Sequence, residues 1–295
     1  MSENEKIQNI DSSDVTRYEK FTFPRFRDLL RKEQQVSIVA GAASCYGYPA
    51  GLVLAEAMGG GQTGIIHSLF VAPRFRNLGF GKELLFFAEE KLREKGCTKL
   101  EICFTDDGNS TSAVKNTLSK CGWGEPELMR EISKIDIFSL SKENWPHRYH
   151  LPAAYTIIPW PDVLPAKLEE LKAPEHKWYP GYASPFKDQP VSPHFSTSFW
   201  LCLREEIVGW VITRLTAPDT LYYDILFVRE DLQKTGRGVQ LLAEALKAQF
   251  REQIPFGTHI VMHAAGFSNP PLIRFTERRL KPFALRTEKY WNSYK

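Results

Sequence analysis

One loop occurs twice in this 295-residue chain. In the first copy, Val71 to Lys82 follows an apolar, strand-like run and opens an amphipathic, helix-like run. Its centre is Arg76, Asn77, Leu78, Gly79, Phe80 and Gly81. In the second copy, 157 residues later from Arg76 to Gln233, the matching residues are Gln233, Lys234, Thr235, Gly236, Arg237 and Gly238. Each copy thus has Arg or Gln, two spacers, Gly, one spacer and Gly, at the start of a helix. Such a turn cradles an anion such as a pyrophosphate. Glycines let the backbone approach closely, successive N–H groups converge, and the helix N-terminus favours negative charge. A duplicated anion loop restricts the chain to two copies of one fold.

The pattern around each loop supports this. Residues 36–43, 50–58 and 63–71 read as strands rich in β-branched and apolar residues, after a helix at 26–33. From residue 81 the period becomes helical, with Leu85, Ala88 and Leu92 on one stripe, and Gly96 ends it. A strand at 99–105, a helix at 111–120 and a strand at 129–135 close the copy. Residues 137–153 are polar, contain Pro, Trp and His, and lack a period, so they read as a linker. The domains expected are 1–136 and 154–295. In the second copy, strands are expected at 155–160, 198–204, 207–215, 221–228, 259–264 and 283–290. Helices are expected at 165–171, 239–251 and 269–280. An aromatic- and Pro-rich excursion at 173–193 has no helical period. Strands and helices in this order give an α/β fold with a central sheet flanked by helices.

Composition narrows the function. The net charge is only +3, which gives no support for a nucleic-acid-binding surface. Five cysteines without a C-x-x-C pair argue against a disulfide framework or a zinc site. No histidine cluster has metal-ligand spacing, so no metal is expected. Cys103 and Cys202, in apolar strands, read as core thiols. The first fourteen residues are polar, unlike a signal peptide, and no apolar run approaches the ~20 residues that span a bilayer. A cytoplasmic location is expected.

The Arg/Gln-x-x-Gly-x-Gly motif, with Phe-Val ending the strand before it and an amphipathic helix after it, resembles that of the GCN5-related N-acetyltransferase (GNAT) superfamily. The resemblance covers residues 15–136 and 154–295. It implies two tandem GNAT-like domains, each a mixed, mostly antiparallel sheet flanked by helices. A dinucleotide-binding fold would instead need G-x-G-x-x-G and an acidic residue ~20 positions later. The order here is different.

The resemblance implies that the loops, with Lys82 in the first, bind the pyrophosphate of acyl-CoA. A bulge would splay the preceding strand, whose backbone binds the pantetheine arm at Leu69, Phe70 and Val71, and at Leu226, Phe227 and Val228. Asn109 and Asn269 match an Asn that contacts pantetheine. Acyl-CoA, acetyl or longer, would be the co-substrate, and a small-molecule or peptide amine the acceptor.

Transfer to an amine requires removal of its proton, because an alkylamine has a pKa near ~10.4. The family often places a base four residues before the loop-proximal Val. His67 and Asp224 hold that position. A strand N–H near Leu69 or Leu226 would polarise the thioester carbonyl. The Tyr that often protonates the leaving thiolate is replaced by Leu118 in the first copy and has no counterpart in the second, which leaves water or Tyr290. Catalysis is expected in the second copy, from Asp224 and the aromatic excursion. Two alternatives are a non-catalytic acyl-CoA-binding module and acyl transfer from a carrier protein.

Overall fold

The computed structural model describes residues 5–32, 35–106, 111–173 and 178–295. It divides into two compact units, Met1–Met129 with Lys289–Lys295, and Arg130–Glu288. The first unit contains β1 (Glu5–Asn9), α1 (Val15–Tyr18), α2 (Arg27–Leu30), β2 (Ile38–Cys45), β3 (Tyr48–Met58), β4 (Thr63–Val71), α3 (Phe80–Glu94), β5 (Lys99–Thr105) and α4 (Thr111–Lys120). β6 (Glu127–Asp136) begins there and continues into the second unit. The second unit contains α5 (Ile137–Leu140), α6 (Trp145–Arg148), β7 (Tyr155–Pro159), α7 (Pro165–Lys172), β8 (Phe199–Leu203), β9 (Glu206–Ala217), β10 (Thr220–Val228), α8 (Arg237–Arg251), β11 (Phe256–Met262) and α9 (Pro270–Arg279). β12 (Ala284–Tyr294) begins in it and ends in the first.

The strands of each unit pair in a mixed pattern. In the first unit the strands pair antiparallel from β1 through β4, and β4 pairs parallel with β5. In the second, β7 through β10 are antiparallel and β10 pairs parallel with β11. This is the α/β architecture of two tandem copies that the repeat implies. The amphipathic helices after the loops supply much of the core. α3 buries Phe80, Leu84, Leu85, Ala88 and Leu92, and α8 buries Leu241, Leu242, Ala245, Leu246 and Ala248. Cys202 is buried as expected, but Cys103 is exposed. Strand alternation in β5 turns Leu100 and Ile102 inward and Cys103 outward.

The last strand of each copy does not stay with its copy. Tyr290–Tyr294 pair antiparallel with Thr105–Glu101 in the first unit. Arg130–Asp136 pair antiparallel with Met262–Phe256 in the second. Residues 129–135 and 283–290 read correctly as strands, but each supplies residues to the other copy's sheet. Periodicity reveals a strand and its buried face, not the edge that it pairs with. Residues 137–153 also differ from a bare connector, since Ile137, Leu140 and Trp145 are buried. Asp136 caps α5 by accepting from the N–H groups of Phe138 and Ser139.

Cutting the chain within 137–153 would separate β5 from Tyr290–Tyr294 and β11 from Arg130–Asp136. Each half would then present a bare strand edge. Residues 1–136 and 154–295, expressed apart, are expected to aggregate, and co-expression should recover folded protein. Size-exclusion chromatography with circular dichroism would measure this. Two monodisperse, folded halves would count against it.

Candidate functional site

The strand that leads into each loop is bulged at one residue. Along β4, Ile66 faces Ala55 and Ser68 faces Leu54, so His67 is the extra residue. Along β10, Tyr223 faces Thr213 and Ile225 faces Ile212, so Asp224 is the extra residue. Parallel pairing to the next strand stops one residue earlier in both copies, at Ile66 with Ile102 and at Tyr223 with His259. A bulge bends its strand and interrupts the ladder. Beyond it, Leu69–Val71 and Leu226–Val228 stay paired on one side only. The strands part into a wedge with unpaired backbone groups on its wall.

The loops that follow are conformational duplicates. Asn77 and Lys234 have φ of 63° and 66°, and Gly79 and Gly236 have φ of 92° and 83°. Both of these glycines precede the helix in the left-handed region, where a side chain is strained. Gly81 and Gly238 have no such need. A Cβ on either would meet only a Val71 or Val228 methyl, at an ordinary 3.8 Å. The protein itself therefore has room for alanine there. Glycine leaves open space over the start of the helix, where the leading N–H groups lack a carbonyl four residues back.

Arg76 and Gln233 play the same part. Arg76 Nε donates to the Val71 carbonyl (3.2 Å), and Gln233 Nε2 donates to the Val228 carbonyl (2.9 Å). Each ties the turn back to the end of its strand. Arg74 lies over the Tyr48 and Phe75 rings, and Lys82 Nζ is 5.3 Å from the Phe86 ring centre. Arg237 reaches Gln240 Oε1 (2.7 Å) and the Tyr155 ring, and Thr235 Oγ1 donates to the Leu232 carbonyl (2.5 Å).

The two bulged residues have ionic partners at matching places with inverted charge. His67 Nε2 lies 3.3 Å from Glu56 Oε2, and Phe26 packs on the imidazole at 5.0 Å between ring centres. Asp224 Oδ2 accepts from Arg214 Nε at 2.8 Å. Glu56 faces Ile65 and Arg214 faces Tyr222, each opposite the residue two before the bulge. The Arg214 side chain is 7% exposed and also donates to the Val191 carbonyl. The Asp224 carboxylate is thus engaged by a buried guanidinium, whereas His67 faces a carboxylate that orients its ring. Sequence reasoning missed Glu56 and Arg214. An ionisable residue in each preceding strand was the available signal.

Other expected residues are separated from this arrangement. Tyr290 lies opposite Thr105 in the first unit, and Asp224 belongs to the second. Asn269 caps α9, its Oδ1 accepting from the Leu272 N–H at 3.1 Å. Asn109 lies outside the described residues. The aromatic excursion is largely core: Trp178, Tyr179, Ala183 and Phe186 pack with Trp200 and Trp210, and Trp210 Nε1 donates to the Ala183 carbonyl. Tyr182 is its main exposed aromatic among the described residues, at 61%.

In the second unit the wedge continues inward as a cavity of about 230 Å³, with Asp224, Ile225 and Leu226 on one wall and His259 to Met262 on the other. His259 Nε2 is buried and has no hydrogen-bond partner among the described residues. Burial lowers its pKa from 6.5 to about 4, so the native imidazole is neutral near pH 7. Below about 6.5 the unfolded chain takes up a proton that the native state refuses. Stability should therefore fall as pH drops from 6.5 towards 4, by about 1.4 kcal/mol per pH unit at most. Urea titrations across that range should be flatter for His259→Leu; an unchanged slope would count against it.

A family model described as the Acetyltransferase (GNAT) family matches residues 4–123 and again 145–280. The chain belongs to this family. Its fold is like that of a GCN5-related N-acetyltransferase from Sphaerobacter thermophilus, with a TM-score of 0.57, 13% identity, and 100% of this chain and 96% of that one covered. It is also like a tandem GNAT protein from the clavulanic acid biosynthesis pathway, with a TM-score of 0.54, 14% identity and 98% of both chains covered. A glucosamine N-acetyltransferase region of a fungal β-N-acetylglucosaminidase has the same TM-score and identity, and matches 98% of this chain and 38% of that one. At these identities the likeness concerns the fold. No curated protein sequence matches the chain. Among the described residues no helix is long and apolar enough to cross a membrane.

Proposed function

We propose that the chain is a CoA-dependent N-acyltransferase that moves an acyl group to a primary amine by direct attack in a ternary complex, and that the first copy carries the chemistry. The observation behind this is the bulge that presents His67 next to Glu56, directly before an anion loop. Leu69–Val71 and Leu226–Val228 would hold a pantetheine arm through their unpaired backbone edge. The turns at Asn77–Gly81 and Lys234–Gly238 would hold the pyrophosphate, and the open space over Gly81 and Gly238 suits that group. Acyl-CoA, when bound, supplies an activated thioester.

The protein's own residues then have three tasks. A backbone N–H near Leu69 polarises the acyl carbonyl. His67 takes the proton of the incoming ammonium, directly or through one water, and Glu56 orients the ring. Tyr290, which belongs to the same unit as His67, would protonate the leaving thiolate. This shifts the site of catalysis from the second copy, because Arg214 already occupies the carboxylate of Asp224.

The acceptor is a small-molecule amine, such as an amino sugar, or a Lys or ornithine side chain of a peptide, and the setting is the cytoplasm. One neighbour in fold is a glucosamine N-acetyltransferase region, which favours the small-molecule class. A thiol-release assay with acetyl-CoA across an amine panel tests the reading. Release that depends on an amine is expected. CoA binding without release from any amine, with either acetyl- or longer acyl-CoA, would overturn it in favour of a binding module. Release only from a carrier-bound donor would favour carrier-linked transfer.

A further inference from the structure

The cavity in the second unit lies inward of the wedge, away from the glycine loop. None of the loop residues 233–238 lines it. Its walls are mainly aliphatic, with Ile135, Leu140, Leu242, Leu246, Leu272 and Leu280 among them. The position matching Leu246 in the first copy is Glu89. There the carboxylate accepts from Trp123 Nε1 (2.6 Å) and from Lys295 Nζ (2.6 Å). A charged group so placed opposes an alkyl chain, whereas Leu246 welcomes one. The buried, unpartnered Nε2 of His259 stands at the vertex of the wedge, where one polar atom of a guest would satisfy it.

We infer that the second copy binds the CoA thioester of an acyl group longer than acetyl, with its hydrocarbon chain in the cavity bounded by Leu246, Leu272 and Leu280. This rests on the reading of the second loop as a CoA site. The thioester of a donor lying along Leu226–Val228 would reach the wedge beside Asp224, and the cavity begins at that point. An ammonium-bearing acceptor is a poor guest for aliphatic walls, and an alkyl chain is a good one. An apolar cavity of ~150 Å³ admits benzene, so about 230 Å³ has room for several carbons. With Asp224 paired to Arg214, this second site holds its ligand without transferring the acyl group, so the two copies divide catalysis and acyl-chain recognition between them.

Titration calorimetry of the full chain with CoA, acetyl-, butyryl-, hexanoyl- and octanoyl-CoA tests the inference without relying on turnover. Affinity at one site should rise about fourfold per methylene until the cavity is full, and then level off. Leu246→Phe should bring the plateau to a shorter chain, and Leu246→Ala should move it to a longer one. Both should leave CoA itself bound as before. Leu280→Phe is a second filling variant should Leu246→Phe not fold. Equal affinity from acetyl to octanoyl, or a rise that none of these variants alters, would overturn the inference. Failure of CoA to bind at all would instead overturn the donor-site reading beneath it.

Discussion

Replacing His67 with Gln should lower the rate of acyl transfer by about 10²–10⁴-fold, the usual loss when a general base is removed. CoA affinity should hardly move, because the glutamine keeps the size and hydrogen bonding of the ring and the anion loop lies beyond the strand end. Asp224→Asn should act differently. It leaves the Arg214 guanidinium, 7% exposed, without its counter-charge, and removing one partner of a buried pair is costly. We expect a stability loss on the order of 3 kcal/mol with turnover per folded molecule retained. Steady-state kinetics with urea denaturation on both variants separate the two effects. A rate loss in Asp224→Asn with full activity in His67→Gln would place the chemistry in the second copy. Full activity in both would leave water as the only route for the proton.

Gly81→Val and Gly238→Val should each weaken CoA binding at their own site by roughly 10- to 100-fold, the range expected when a hydrogen bond to a charged group is lost. The smaller Gly81→Ala and Gly238→Ala should change fold stability little, since a Cβ at either position makes only an ordinary 3.8 Å contact. Gly79 and Gly236 give a less specific test, because a side chain there also strains the positive φ. Combining them with Gly81 and Gly238 in double variants should abolish binding at each loop in turn. Calorimetric titration of CoA measures the effect. If neither double variant weakens binding while both remain folded, the loops are not the anion sites.

The loops were legible because glycine and ionisable residues stand out in otherwise apolar, alternating runs. The same contrast made His67 and Asp224 visible at equal distance from their loops, and a bulge falls on each. Their partners were harder to read. Glu56 and Arg214 face the bulge only through cross-strand register, which nonlocal pairing fixes. The aromatic excursion looked like a binding surface because Trp178, Tyr179 and Phe186 are as suited to a ligand as to a core. Trp178, Tyr179 and Phe186 pack around Trp200 and Trp210, while Tyr182 and Ala183 of the same excursion line the cavity. His259 read as an ordinary strand residue. Its Nε2 has no partner among the described residues, which only the folded packing reveals.

The route of β12 sets a timetable for the chain's synthesis. A ribosome finishes residues 1–129 long before it makes Lys289–Lys295, yet the first unit takes a strand from those later residues. Lys295 itself anchors there, with its side chain on Glu89 and the Cys121 carbonyl and its backbone paired with Leu100. The amino-terminal copy must therefore wait, incomplete and with β5 bare, until residues 289–295 have been made and have left the ribosome. Nascent chains stalled before residue 289 should be more exposed to chaperones and proteases than the finished protein. Truncation just before residue 289 would then do its damage in the sheet that residues 5–105 build.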